Sequence, residues 1–181
     1  MRSIILFLLV CSVGYSQREA DKRTICLNAD TTMNNVLYTV WKNPNAHTIY
    51  RRTLKWIADY YGKRPNIVVD SVSNKMIRIQ ANNPLIFFRP MENDTTNVER
   101  YGENYIIEMN IENGIYYVNY SHLFFTMGGN KVDLRLSDVY NDNRNLPDDD
   151  WPDTRTQYET SIGAFLFRIY DAVSDPSFKF D

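Results

Sequence analysis

Tyr105-Ile106-Ile107-Glu108-Met109-Asn110-Ile111-Glu112-Asn113-Gly114-Ile115-Tyr116-Tyr117-Val118-Asn119-Tyr120-Ser121 decides the fold. Asn113-Gly114 is the strongest short hairpin signal, because a two-residue primed turn needs residues that tolerate positive φ. Such a loop pairs Glu112 with Ile115 and Ile111 with Tyr116. In that register Tyr105, Ile107, Met109 and Ile111 share one face with Tyr116, Val118 and Tyr120. Glu108, Asn110 and Glu112 share the other with Tyr117, Asn119 and Ser121. A one-residue slip would mix the two sets, so the segment reads as antiparallel strands with one core face and one wet face.

Working outward, the C-terminal side ends in an amphipathic helix predicted over about Thr156 to Val173. Tyr158, Ile162, Phe165, Leu166, Ile169 and Val173 recur there at helical offsets. Thr156 and Glu159 have the spacing of a capping box, and Pro176 lies beyond the end. Gly128-Gly129 reads as a turn, and Asp138 to Asp153, with its asparagines and prolines, as a long acidic loop. On the N-terminal side, Leu85-Ile86-Phe87-Phe88 reads as a short strand followed by a polar loop from Glu92 to Asn104. Ile67 to Val72 and Met76 to Gln80 form a hairpin around Ser73-Asn74-Lys75, whose loop could hold two or three residues.

Ala46, Tyr50, Leu54, Ile57 and Tyr61 mark a helix over Ala46 to Tyr61, stopped by Gly62 and Pro65. Val36 to Trp41 reads as a strand. The order is strand, helix, four or five antiparallel strands, helix. This predicts a two-layer α+β domain with both helices on the apolar face of the sheet.

Met1-Arg2-Ser3 followed by the apolar run Ile4 to Val13 has the form of a secretory signal peptide, too short to span a bilayer. Gly14-Tyr15-Ser16 places cleavage after Ser16. Lipid attachment at Cys11 is the alternative, although bulky Val10 stands where a small residue is wanted. The expected organisation is a signal peptide at 1–16, a flexible lead-in at 17–35, one domain at 36–175 and a tail at 176–181. Removing residues 1–16 takes Arg2 and no acidic residue, moving the formal charge from −2 to −3. It also leaves Cys26 as the lone cysteine, so no intramolecular disulfide is available. The 13 Tyr, 9 Phe and 3 Trp supply material for a core without staples. The expected location is periplasmic or secreted, with no transmembrane segment.

Three stretches carry a family resemblance: the helix Ile49-Tyr50-Arg51-Arg52-Thr53-Leu54-Lys55-Trp56-Ile57, the hairpin segment Asp70 to Ile79, and Glu112 to Val118. Over roughly residues 36–175 the chain resembles domain of unknown function 4468, a family of secreted Bacteroidota proteins with a TATA-binding-protein-like (TBP-like) fold. Ile115 and Tyr117 depart from the basic residues common after the hairpin glycine in that family. The resemblance implies the fold. It carries no assigned activity, so it transfers no catalytic residue.

Among candidate sites, Asp148, Asp149 and Asp150 form the densest acidic cluster and could hold Ca²⁺. The neighbouring Asn141, Asn143 and Asn145 lack the glycine and closing glutamate of a calcium loop, and a solvated loop is the plainer reading. His47 and His122 have no metal-binding spacing, and Ser121-His122 adjacency does not make a catalytic pair. Tyr117 on the wet face, with Trp56 and Tyr60 on the helix flank, could stack on a sugar or anchor a partner, against a reading as ordinary packing. Glu108 and Glu112 are the remaining ligand candidates. As catalytic carboxylates they stand about 13 Å apart along a strand, beyond the roughly 5–9.5 Å of a glycosidase pair.

The sequence therefore points to an exported, non-enzymatic binding module for an envelope protein or small ligand. A hydrolase-like enzyme acting on an envelope or glycan substrate through carboxylates is the alternative. No cofactor is implied. Nucleic acid is disfavoured, since phosphate neutralisation needs basic side chains and the wet face carries Glu108 and Glu112. Nothing in the sequence selects an oligomeric state.

Overall fold

The Asn113-Gly114 hairpin forms in the predicted register, with Ile111 opposite Tyr116 and Met109 opposite Val118. It lies at the centre of the structure, a computed structural model that describes residues 32–40, 42–62, 67–91, 94–142, 152–175 and 177. Residues 1–16, read above as a signal peptide, together with Cys26, the aspartates 148–150 and Pro176, lie outside the described residues.

The strands are β1 (Thr32–Thr39), β2 (Val68–Val72), β3 (Met76–Met91), β4 (Asp94–Ile111), β5 (Ile115–Met127) and β6 (Asn130–Lys131). The helices are α1 (Ala46–Tyr61), α2 (Leu136–Tyr140) and α3 (Thr154–Ser174). All pairings are antiparallel, in the order β1-β5-β4-β3-β2, with β6 turning back onto β5. Ile77, Ile79, Ile107, Met109, Tyr116 and Val118 join the buried side chains of α1 and α3 in one core. This is the two-layer α+β domain that the periodicities predict.

Gly114 holds φ +75°, and a Cβ there would meet Asn43 Oδ1 at 1.5 Å. The hairpin tip needs that bareness because it docks on the turn before α1. Gly114 N–H donates to Pro44 O and Val40 N–H donates to Gly114 O, both at 2.7 Å. Asn113 Oδ1 accepts from Ala46 N–H at 2.9 Å. The first hairpin takes the three-residue loop, pairing Val72 with Met76 and placing Asn74 at φ 60°. Gly128 and Gly129 turn β5 into β6 with positive φ.

Several boundaries differ from expectation. The stretch predicted as a short strand and polar loop is instead two long strands, with β3 pairing β4 from Met76 through to Met91. The polar residues there are tolerated because one side of each strand faces water and the ladder supplies the hydrogen bonds. β1 begins at Thr32, inside the expected lead-in. The buried stripe of α1 centres on Ile49, Thr53, Trp56, Ile57 and Tyr61, while Ala46, Tyr50 and Leu54 flank it. Thr53 is tolerated in the stripe because its hydroxyl donates to Ile49 O at 3.0 Å. α3 is capped by Asp153, whose carboxylate accepts from Thr156 N–H at 2.8 Å, so Thr156 is not the cap. Part of the expected acidic loop is helical, since α2 runs to Tyr140.

Beyond the reach of β2, α3 covers the edge of β3. Gln157 Oε1 accepts from Phe88 N–H at 3.0 Å, and Ser161 Oγ donates to Ile86 O at 2.9 Å. Asp142, at the end of α2, accepts from Arg89 Nε at 2.9 Å and from Thr154 Oγ1 at 3.2 Å, which ties the start of α3 to the same strand.

Candidate binding site

The sheet separates the ligand residues predicted from sequence. Glu108, Glu112 and Tyr117 belong to the open face of the β4–β5 hairpin. Glu108 accepts from Asn110 Nδ2 at 3.2 Å and stands across from Arg78 and Asn119, and Tyr117 stands between Asn110 and Leu37. Trp56 and Tyr60 lie on α1, beneath the opposite face. Trp56 is 1% exposed and packs with Tyr60, Tyr61 and Phe165 at ring separations of 5.2, 5.7 and 5.6 Å. Its size carries it into the core, so it offers no platform to a ligand. Tyr60 is only partly buried. Among the described residues, no three His, Cys, Asp or Glu side chains gather as a metal site.

Two irregularities in the sheet build what the periodicities miss. In β5, Tyr105 pairs with His122 and Asn104 with Phe124, so Leu123 is an extra residue. That bulge lets both His122 and Phe125 face inward, with ring centroids 4.1 Å apart. Between them sits Glu103, opposite Phe125 in the ladder and wholly buried. Its Oε1 accepts from Tyr158 OH at 2.6 Å and His122 Nδ1 at 2.7 Å, and its Oε2 from Tyr120 OH at 2.5 Å. An ionised carboxyl can only accept, so Nδ1 carries the hydrogen. Burial, and next the nearby Glu103 charge, push the Tyr120 and Tyr158 phenols well above their usual range and keep them as neutral donors.

Three donors from β5 and α3 offset the burial of the carboxylate, which alone would cost several kcal/mol. The network is sealed: the His122 side chain is 6% exposed and that of Glu103 0%. Ser121 pairs with Ile106 on the opposite face, so it cannot use His122 as a base. The cluster fastens α3 to β4 and β5 and keeps the Glu103 carboxylate and the His122 imidazole out of solvent.

The second irregularity is in β3. Pro84, Leu85 and Ile86 stand against the single residue Gly102 between the pairs Asn83–Glu103 and Phe87–Tyr101. A Cβ at Gly102 would lie 2.7 Å from Asn83 O and 2.9 Å from Pro84 O, so only glycine lets the bend close on β4. The bend leaves a cavity of about 200 Å³ between β3, α1 and α3. Buried Ile86, Tyr105, Tyr120 and Ile162 make its floor. Its rim is exposed Pro84 and the partly buried Tyr60, Asn82, Asn83, Ser161 and Phe165. Tyr105, anchored through its hydroxyl to Tyr61 at 2.8 Å, stacks on Tyr120 at 5.3 Å. The cavity thus shares Tyr120 with the Glu103 network.

Of these residues, sequence reasoning reached only Tyr60 as a candidate. Glu103 was legible in principle. The β4 alternation, extended N-terminally from Tyr105, places Glu103 on the core face, where an acidic residue demands partners. Asn82, Asn83 and Ser161 carried no such signal, because the β3 bend that gathers them is a tertiary feature.

The antiparallel sheet and the two long helices packed on one of its faces define a TBP-like α+β domain. A TBP-like protein from Parabacteroides distasonis ATCC 8503 has this fold, with a TM-score of 0.58 and 15% identity over 83% of this chain and 97% of that one. A DUF4468 family protein from Bacteroides ovatus ATCC 8483 gives a TM-score of 0.57 and 15% identity over 87% and 94% of the two chains. These neighbours support the resemblance to a TBP-like Bacteroidota family, and at this identity what they share with the chain is the fold. No family model and no curated protein matches the chain.

Proposed function

We propose that the chain is an exported binding module of the bacterial cell envelope that holds a small ligand in the cavity under the β3 bend and catalyses no reaction. The observation that carries this is the cavity's composition: aromatic and apolar groups below, amides and a hydroxyl at the rim, and, among the described residues that line it, tyrosine as the sole ionisable type. A concave site with a few convergent polar groups is built to bind. A hydrolytic site would need a base or nucleophile able to exchange protons near neutral pH, and the Tyr120 phenol is held well above its usual range by burial. The signal-peptide pattern of residues 1–16 supports export, and no helix among the described residues is long and apolar enough to cross a membrane. Nucleic acid is not the partner proposed, since Glu108 and Glu112 belong to the open face of the hairpin.

Native mass spectrometry of the protein taken from its own cell envelope tests the reading. The expected spectrum shows a mature chain beginning at Gln17 and a small molecule lost on activation. A chain that keeps residues 1–16, or one that turns over an envelope substrate when purified, would remove it.

A further inference from the structure

We infer that the ligand is one uncharged sugar ring, held by its hydroxyls at the amide rim and by its C–H face on the aromatic wall. This rests on the binding-module reading and narrows it. Size sets the first limit. An apolar cavity of about 150 Å³ holds one benzene, so about 200 Å³ takes in a single substituted six-membered ring, and any further ring would lie outside the rim.

Hydrogen-bonding capacity sets the second. The Ser161 hydroxyl gives its hydrogen to Ile86 O, so its oxygen is left to accept. Asn83 Oδ1 takes Leu85 N–H at 3.2 Å, so its NH₂ group is left to donate. The Asn82 carboxamide has no hydrogen-bond partner among the described residues and offers both functions. A ligand that satisfies all three must donate and accept from neighbouring positions, as vicinal hydroxyls do. An arene does neither.

Charge sets the third. Among the described residues that line the cavity there is no Lys, Arg, His, Asp or Glu, and a buried charge without a partner is strongly disfavoured. An acidic or amino sugar is therefore a poor fit. The apolar side suits a sugar as well, because Tyr60, Tyr105 and Phe165 form one contiguous wall, with ring centroids 5.5 and 5.7 Å from Phe165.

The test is NMR titration of the isotopically labelled mature chain with methyl glucoside, N-acetylglucosamine, glucuronate, glucosamine and benzamide. Saturable shifts at Asn82, Asn83 and Ser161 are expected with a neutral sugar, at an affinity at least tenfold above that of glucuronate and glucosamine. Asn82→Leu should lower that affinity about tenfold, with the amide spectrum elsewhere unchanged to show that the fold persists. Equal binding of the charged sugars would overturn the restriction to an uncharged ring, binding of benzamide in place of the sugars would overturn the sugar assignment, and either would leave a binding module standing. Silence at the cavity with all five probes, in a chain whose spectrum shows it folded, would overturn the sugar assignment. Loss of the module reading as well would need an empty cavity in the envelope-derived protein.

Discussion

Glu103 sits at the centre of an aromatic core because Tyr120, Tyr158 and His122 each give it a hydrogen bond. Removing one member of such a set exposes the others to an uncompensated burial. Glu103→Gln keeps the volume but turns an NH₂ group toward donors, and should cost about 3 kcal/mol in urea unfolding. Tyr158→Phe removes a single donor and should cost about 1–2 kcal/mol. A double-mutant cycle should show strong coupling between the two, and simple additivity would mean the network does not act as a unit. Glycines offer a second contrast. Gly129→Ala meets nothing within 4 Å and should lose only about 1 kcal/mol for its positive φ. Gly114→Ala must also displace Asn43 and the hairpin contact, so its loss should be the larger in the same assay.

At the scale of elements, α3 does more than cover the sheet. Its N-terminus is fixed by Asp153, whose carboxyl is held below its ordinary range chiefly by the Thr156 N–H. Asp153→Ala should lower stability by about 1 kcal/mol at neutral pH. The lowered value means that the cap's contribution is present above the unfolded carboxyl's pKa and is lost as pH falls through the lower folded value. The variant and the parent should therefore converge in acid, and a difference persisting there would sink the assignment. Further along, Gln157 replaces a neighbouring strand for the edge of β3 by pairing with Phe88 N–H. Gln157→Ala should accelerate hydrogen exchange at the Phe88 amide by about tenfold, with core amides such as Ile107 unchanged.

For the whole molecule, the aromatic core sets its response to alkali. Burial pushes Tyr38 and Tyr101 to about 12, and Tyr116, Tyr120 and Tyr158 well above their ordinary value. The unfolded chain would ionise these groups near 10. Stability should hold up to about pH 10 and then fall as the unfolded state loses protons that the folded state retains. Near-ultraviolet titration should show these tyrosines ionising late, together with loss of structure. Early, reversible ionisation of every tyrosine in a folded chain would contradict the packing.

What the sequence determined by itself is local. Asn113-Gly114 and the alternation around it specified the central hairpin and its register, since a slip would have moved every side chain to the wrong face. Helical spacing specified α1 and α3, and together these gave the two-layer α+β class. The site was decided elsewhere. The Leu123 bulge that turns both His122 and Phe125 inward, and the β3 bend that closes over Gly102, depend on how neighbouring strands fit. Neither leaves a periodic trace. They bring Glu103 to residues 17, 19 and 55 positions away, and Asn82 and Asn83 to Ser161. Residue spacing along one chain cannot encode such meetings, because they exist only once the helices have packed against the sheet.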